Sequence, residues 1–341
     1  MKIGPDVTQN GSFDAFVTKL KPAPFAPDVR DNIVWSGFIG GEGDDVAILP
    51  AALSSGHVGI DAEGNAYISG QTTSDETTFP DGDGLGALPG PDRTYNGDWD
   101  AYVAKIRADG TGFLYAGYLG GAGYDEGKGM AVDAAGAAYL TGSTNSTEAT
   151  FPVKVGPDLT FNGMTDAFIA KVAPDGASLE YCGYIGGDDD EQRAGLALGP
   201  DGAIYVAGSV QSGESTFPVT GGPDLTFNGP EGETDDKEFD ADAFVGRLRS
   251  PVATGDPRDS WDFLGYAGGA SRDSCLWLTV DSAGDAYIVG ETVSGLDSFP
   301  DGHPIGRRLG FGGLVGKSDV YMVKVAWRPR DARTAYLPWT G

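Results

Sequence analysis

The segment from Asp166 to Val172, DAFIAKV, alternates along its length. Ala167, Ile169 and Lys171 fall on one side, and Phe168, Ala170 and Val172 on the other. A period of two marks a β-strand, expected here to be half-buried. The same D-[AV]-aromatic segment is written five times, at 14, 100, 166, 242 and 319. Other short apolar runs surround it. In one stretch they read GMAVD, AAYLTG, DAFIAKV and LEYCGYIGG, separated by Gly, Pro, Asp and Asn. The link from Asp133 to Gly136 reads as a tight hairpin turn, with Gly supplying positive φ. No window of a dozen residues sustains a 3.6-residue apolar stripe, so the pattern predicts little helix.

The alternating runs belong to a larger repeat. Phe-Pro recurs at Phe79, Phe151, Phe217 and Phe299, each preceded by a G-x-x-Tyr turn ending at Tyr67, Tyr139, Tyr205 and Tyr287. Both marks are spaced by 72, 66 and 82 residues. An aromatic-x-Gly-Gly signature comes four times: FIGG at 38, YLGG at 118, YIGG at 184 and YAGG at 266. The first copy carries extra residues around VAILPAAL, and TAYLPWTG at the end echoes LYAGYLGG. The chain divides into a half unit, 4–41, and repeat units 42–121, 122–187, 188–269 and 270–341, which leaves one domain spanning 1–341.

A unit of four short antiparallel strands cannot bury both its faces alone, so neighbouring units must stack. Four strands in each unit favour the blades of a β-propeller over the shorter rungs of a solenoid. GMAVD, AGLALG and WLTVD, rich in small residues, suit the innermost strand. The string from Gly120 to Gly142, followed by Phe-Pro and D-A-F-[VI]-A-K, resembles the SBBP repeat, a bacterial β-propeller repeat. The resemblance covers nearly the whole chain. It implies a propeller and an exported or cell-surface protein, and it brings no catalytic residues. Five copies of the second half of the unit against four of the first imply about five blades with one incomplete. A larger ring cut short is the alternative.

Composition narrows the partners. The formal charge of −27 and pI near 4.1 argue against nucleic acid and anionic membranes, which need Lys and Arg surfaces. No apolar run reaches 18 residues, so no membrane-inserted helix is expected. MKIGPDV has no apolar stretch of the kind a signal peptide needs, which does not argue for the cytoplasm. Cys182 and Cys275 read as buried thiols rather than a disulfide.

Three sets of recurrent residues are candidates for chemistry. Asp45, Asp125, Glu191 and Asp273 each stand four places after a Gly-Gly pair. Such loop acids suit a hard cation, so Ca²⁺ is a possible cofactor. No closing D-x-D-x-D-G ladder accompanies them, however, and a turn held by backbone N–H bonds is the favoured reading. The loop G-P-D-x-T-x-N-G recurs at 4, 90, 156 and 222, decaying to GRRLGFGG at 306. Asp92, Tyr95, Asn96, Asp158, Phe161, Asn162, Asp224, Phe227 and Asn228 there are candidate ligand-binding residues, with the aromatics stacking on a sugar or peptide. The competing reading, favoured, has the aromatics plugging gaps between blades. The D-A-F acids, Asp14, Asp100, Asp166, Asp242 and Asp319, and the bases Lys19, Lys105, Lys171, Arg247 and Lys324 lie five apart, on opposite faces of a strand. They read as structural, with pairing across blades open.

Catalysis draws little support. The two histidines, His57 and His303, have no evident partners, and no nucleophile elbow, zinc or phosphate-loop motif is present. A unique site would sit where repeat symmetry breaks, at 42–57, 81–89, 230–241, 251–261 or 301–317. The leading expectation is a non-catalytic extracellular or cell-surface module with a protein or glycan partner, able to oligomerise through an incomplete blade edge. A multivalent lectin-like ring, and a hydrolase or lyase with one site at the channel mouth, are the alternatives.

Overall fold

The computed structural model describes residues 4–21, 29–47, 58–229, 241–249, 256–295, 298–299 and 318–326. Within them the chain is all-β, with two short 3₁₀ turns at Val29–Asn32 and Pro257–Ser260. Strands β1 (Ala15–Leu20) and β2 (Ile33–Ile39) form one antiparallel pair. A second sheet holds β3 (Asp45–Val46), β4 (Val58–Ile60), β5 (Ala66–Thr72), β6 (Asp100–Ile106) and β7 (Phe113–Leu119). Both β3 and β4 pair with β5, so the two lie where other repeats have one first strand.

The next two sheets have four strands each, in chain order. One is β8 (Asp125–Val132), β9 (Ala138–Thr144), β10 (Asp166–Val172) and β11 (Leu179–Ile185). The other is β12 (Glu191–Leu198), β13 (Ile204–Val210), β14 (Asp242–Leu248) and β15 (Trp261–Tyr266). The last sheet joins β16 (Asp273–Val280), β17 (Ala286–Thr292) and β18 (Asp319–Val325). All these pairings are antiparallel, as short turns between consecutive strands require. The first turn of each repeat is closed as the sequence implies: the Gly136 amide donates to the Asp133 carbonyl at 3.0 Å, with Gly136 at φ +84°.

Successive sheets lie face on face, with β8 beside β5 and β12 beside both β8 and β16. The packing repeats one rule. The front of β10 (Phe168, Ala170 and Val172) meets the back of β6 (Ala101 and Val103) in one core. The back of β10 (Ala167 and Ile169) meets Val206, Phe244 and Leu248 of the following sheet in another. Strand β10 is therefore buried on both faces, which corrects the half-buried expectation. Alternation here separates two apolar cores rather than core from water; the small Ala residues let the sheets approach.

Phe151 and Phe217, from the Phe-Pro loops, plug the gaps between sheets. Phe151 packs on Phe168 and Tyr184, and Phe217 on Phe244 and Tyr266, with ring centroids 5.3 to 5.6 Å apart. His57, His303, the 306–313 loop and 334–341 lie outside the described residues, as do 48–57, 230–240, 251–255 and 301–317.

Candidate functional site

The recurrent side chains gather where one sheet hands over to the next. After β7, the chain turns through Gly120 and Gly121 into β8. Asp125 is fully buried beneath this turn and accepts bonds from the Gly121 amide (2.7 Å), Ser146 Oγ (2.8 Å) and Thr144 Oγ1. Asp45 repeats the arrangement with Gly41, Thr72 and Ser74 at 2.5 to 2.8 Å. Glu191 takes the amides of Gly187 at 2.7 Å and Ser212 at 3.2 Å, and Asp273 takes the Gly269 amide at 2.6 Å and Ser294 Oγ at 2.7 Å. These four acids hold the turn to the strand beyond it. Burial pushes Glu191 up to about 8, against the opposing pull of its hydrogen bonds. Among the described residues, no three His, Cys, Asp or Glu side chains come together as a metal site would need.

The Pro-Asp loop leads into the same junction. Asp158 Oδ1 accepts the Thr160 amide at 2.9 Å, while Oδ2 accepts Asn162 Nδ2 at 2.9 Å. Asp92 with Asn96 (3.2 Å) and Asp224 with Asn228 (2.5 Å) do likewise. The aromatic between them turns inward: Tyr95, Phe161 and Phe227 stand 5.8 to 6.0 Å from Tyr118, Tyr184 and Tyr266. The Asp and Asn groups satisfy one another, and the rings fill inter-sheet gaps. Asn162 then passes the loop on, its amide donating to Asp166 Oδ2 at 3.1 Å. The Asn228 amide makes the same bond to Asp242 at 2.8 Å, although they are 14 residues apart rather than four.

The base of the D-A-F segment pairs within its own sheet. Lys105 lies 3.1 Å from Asp61 and Lys171 lies 3.6 Å from Asp133, each acid opening the G-x-x-Tyr hairpin, and Arg247 bonds Asp201 within the corresponding turn. Cross-strand register sets Lys105 opposite Tyr67 and Lys171 opposite Tyr139, with Nζ 4.6 and 5.0 Å above the rings. Burial would raise Asp61, but bonds from Asn65, Lys105 and Tyr67 outweigh it and hold the carboxyl down to about 2. The hairpin acids Asp61, Asp133, Asp201 and Asp281 were missed as ion-pair partners in the sequence, though three of them, Asp61, Asp133 and Asp281, stand three places before the turn Gly as a periodic signal. Cys182 and Cys275 are buried free thiols, and burial raises both above the usual thiol range.

A second pairing was also hidden. At two junctions the D-A-F acid comes up against the turn acid across the first glycine of the Gly-Gly pair. A Cβ on Gly186 would stand 2.4 Å from Asp166 Oδ1 and 2.9 Å from Glu191 Oε2. On Gly40 it would stand 2.9 Å from both Asp14 Oδ1 and Asp45 Oδ2. Glycine is needed there because the carboxyl groups occupy the space.

Residues 114–148, which run from β7 through the junction and the first hairpin of the next sheet, match the family model for the SBBP beta-propeller repeat. No curated protein matches the sequence. Among solved structures, the chain is similar to the exo-beta-1,3-galactanase 1,3Gal43A from Clostridium thermocellum, at 10% identity and a TM-score of 0.31, over 85% of this chain and 58% of that one. The chain thus spans less than two thirds of the galactanase structure. It is also similar to hydrazine synthase from Kuenenia stuttgartiensis, at 10% identity and a TM-score of 0.28, over 72% of this chain and 78% of that one. At these scores neither likeness bears on fold or activity. No helix among the described residues is long and apolar enough to cross a membrane.

Proposed function

We propose that the five sheets are the blades of one β-propeller, about five in number with β1–β2 incomplete, and that the molecule is a non-catalytic binding or scaffold module of the cell surface. The observation that carries this reading is the state of the two end sheets. On β1, Phe16 and Leu20 are 71% and 64% exposed, where their counterparts Phe168 and Val172 are fully buried. On β18, Val320 and Met322 are 78% and 49% exposed, where Ala167 and Ile169 are fully buried. These are an unmatched front and an unmatched back: the two halves of the interface that joins each sheet to the next. Apolar faces of this kind are docking surfaces. The front of β1–β2 closes on the back of β16–β18, leaving the polar loop rims for a partner. The glycan-binding reading has no such observation behind it, because its Asp and Asn side chains are bonded to one another.

A Phe16→Cys/Met322→Cys variant treated with a short bis-maleimide tests the closure. A crosslinked monomer is the expected product. Crosslinked multimers would mean that the faces join separate molecules, and no product at all would remove both ring and assembly.

A further inference from the structure

We propose that Asp100, Asp166 and Asp242 are neutral carboxylic acids in the native protein, each donating its O–H across the inter-sheet turn as a latch to the next repeat. The geometry begins with a missing donor. All three residues are fully buried. One carboxyl oxygen of each takes a loop amide, from Asn96, Asn162 and Asn228. The other, Oδ1, has no hydrogen-bond partner in any of the three. The next loop amides, Gly97, Gly163 and Gly229, temper the charge without reaching hydrogen-bond geometry.

Backbone carbonyl oxygens of the next turn gather at the same loop glycine as Oδ1. The point where a Cβ on Gly163 would stand is 2.1 Å from the Asp189 carbonyl oxygen, 2.9 Å from that of Gly187 and 3.1 Å from Asp166 Oδ1. On Gly97 the same point is 2.3 Å from the Gly123 oxygen, 2.5 Å from that of Gly121 and 3.2 Å from Asp100 Oδ1. The turn acid of the following repeat adds a further carboxyl oxygen, as Glu191 does beside Asp166. An ionised carboxylate among acceptors, out of water, is heavily penalised, and two adjacent buried carboxyls cannot both ionise. A proton on Oδ1 turns the mismatch into a hydrogen bond.

Among the described residues, the titratable groups facing these acids offer no compensating positive charge. Asp92, Asp125, Tyr95 and Tyr118 face Asp100; Asp158, Asp190, Glu191 and Tyr184 face Asp166; Asp224, Asp273, Tyr266 and Tyr321 face Asp242. Arg272 lies by Asp273 and lowers that acid. Burial pushes Asp100 and Asp166 up to about 7 and Asp242 up to about 8. In the unfolded chain a carboxyl titrates near about 4. The folded state therefore binds extra protons between about pH 4 and about pH 8. The stabilisation is complete below that window and is lost as pH rises through about 7 to 8. Asp14, in the end sheet, differs: its Oδ1 accepts the Gly11 amide at 3.2 Å.

The test is a D100N/D166N/D242N triple variant, with D166N alone beside it. Asparagine keeps the shape and supplies an N–H where the acid supplies O–H. Denaturation midpoints of variant and wild type are compared from pH 5 to pH 9 at fixed salt. The expected result is a variant that gains on wild type steadily from pH 5 to about pH 8 and keeps a constant lead above it. The gap in folding equilibrium should grow by up to about tenfold per pH unit for each group replaced. Infrared spectra of the wild type at pH 7 should carry a protonated-carboxyl band that is weaker in the triple variant, where Glu191 still contributes. Equal destabilisation of the variants at every pH would overturn the proposal, because the fold would then use the charged form. A rise in the wild-type midpoint with added Ca²⁺, absent from the variants, would overturn it in favour of a cation between the carboxyls.

Discussion

Phe168 and Phe16 stand at the same place in the same motif, yet Phe168 is fully buried and Phe16 is 71% exposed. Both strands pair antiparallel with the strand that follows, through the same register of aromatic opposite aromatic: Phe168 faces Tyr184, and Phe16 faces Phe38. The difference lies in what stands in front. Sheet β8–β11 has the back of β6 against it, whereas among the described residues no sheet lies over the front of β1–β2. Local sequence thus makes the strand, while its energetic worth comes from the neighbour.

The sharpest way to break that comparison is to truncate both rings. Phe168→Ala should cost about 3–5 kcal/mol, as a fully buried aromatic does, and Phe16→Ala a comparable amount, because ring closure covers its face. Urea titrations of the two variants measure it. A loss under about 1 kcal/mol at Phe16 would show its face open in solution and count against ring closure.

The ion pairs give the next contrast. Lys105 and its partner Asp61 have side chains 11% and 3% exposed, so Lys105→Met should cost about 1.5–3 kcal/mol by stranding a buried carboxylate. Lys324, with a side chain 40% exposed, carries the equivalent pair in the end sheet. Lys324→Met should cost clearly less, because water screens the pair. Thermal melts that rank the two the other way would refute the role given to burial. At the junction, Gly186→Ala forces a methyl onto the Asp166 and Glu191 carboxyls and should cost about 1–3 kcal/mol. Asn162→Ala has the smallest expected effect, about 0.5–1.5 kcal/mol, since it removes hydrogen bonds at the protein surface. A larger loss would mean that the loop carries more of the inter-sheet packing than its bonds suggest.

Much of this was legible in the residues. The period of two in DAFIAKV, the turn glycines and the Phe-Pro spacing each report on a few neighbouring positions, and strands and hairpins depend on little more. The turn role of Asp125 was legible as well, because Gly121 to Asp125 is a local bond. The partners of Lys171 were not: Asp133 sits in the hairpin turn after β8 and Glu180 on β11, and only cross-strand register brings them together. Nor was the meeting of Asp166 with Glu191, which are 25 positions apart and face each other only because one sheet stacks on the next.

By itself, then, the sequence determined the strands, the turns between them and the repetition of one unit, because those follow from steric preference and hydrophobic alternation over short spans. Tertiary structure decided which of five equivalent aromatics lies in a core, which base meets which acid, and which carboxyl must keep its proton. Those outcomes depend on dielectric and on donors or acceptors brought in from neighbouring sheets, and identical motifs diverge once their neighbours do.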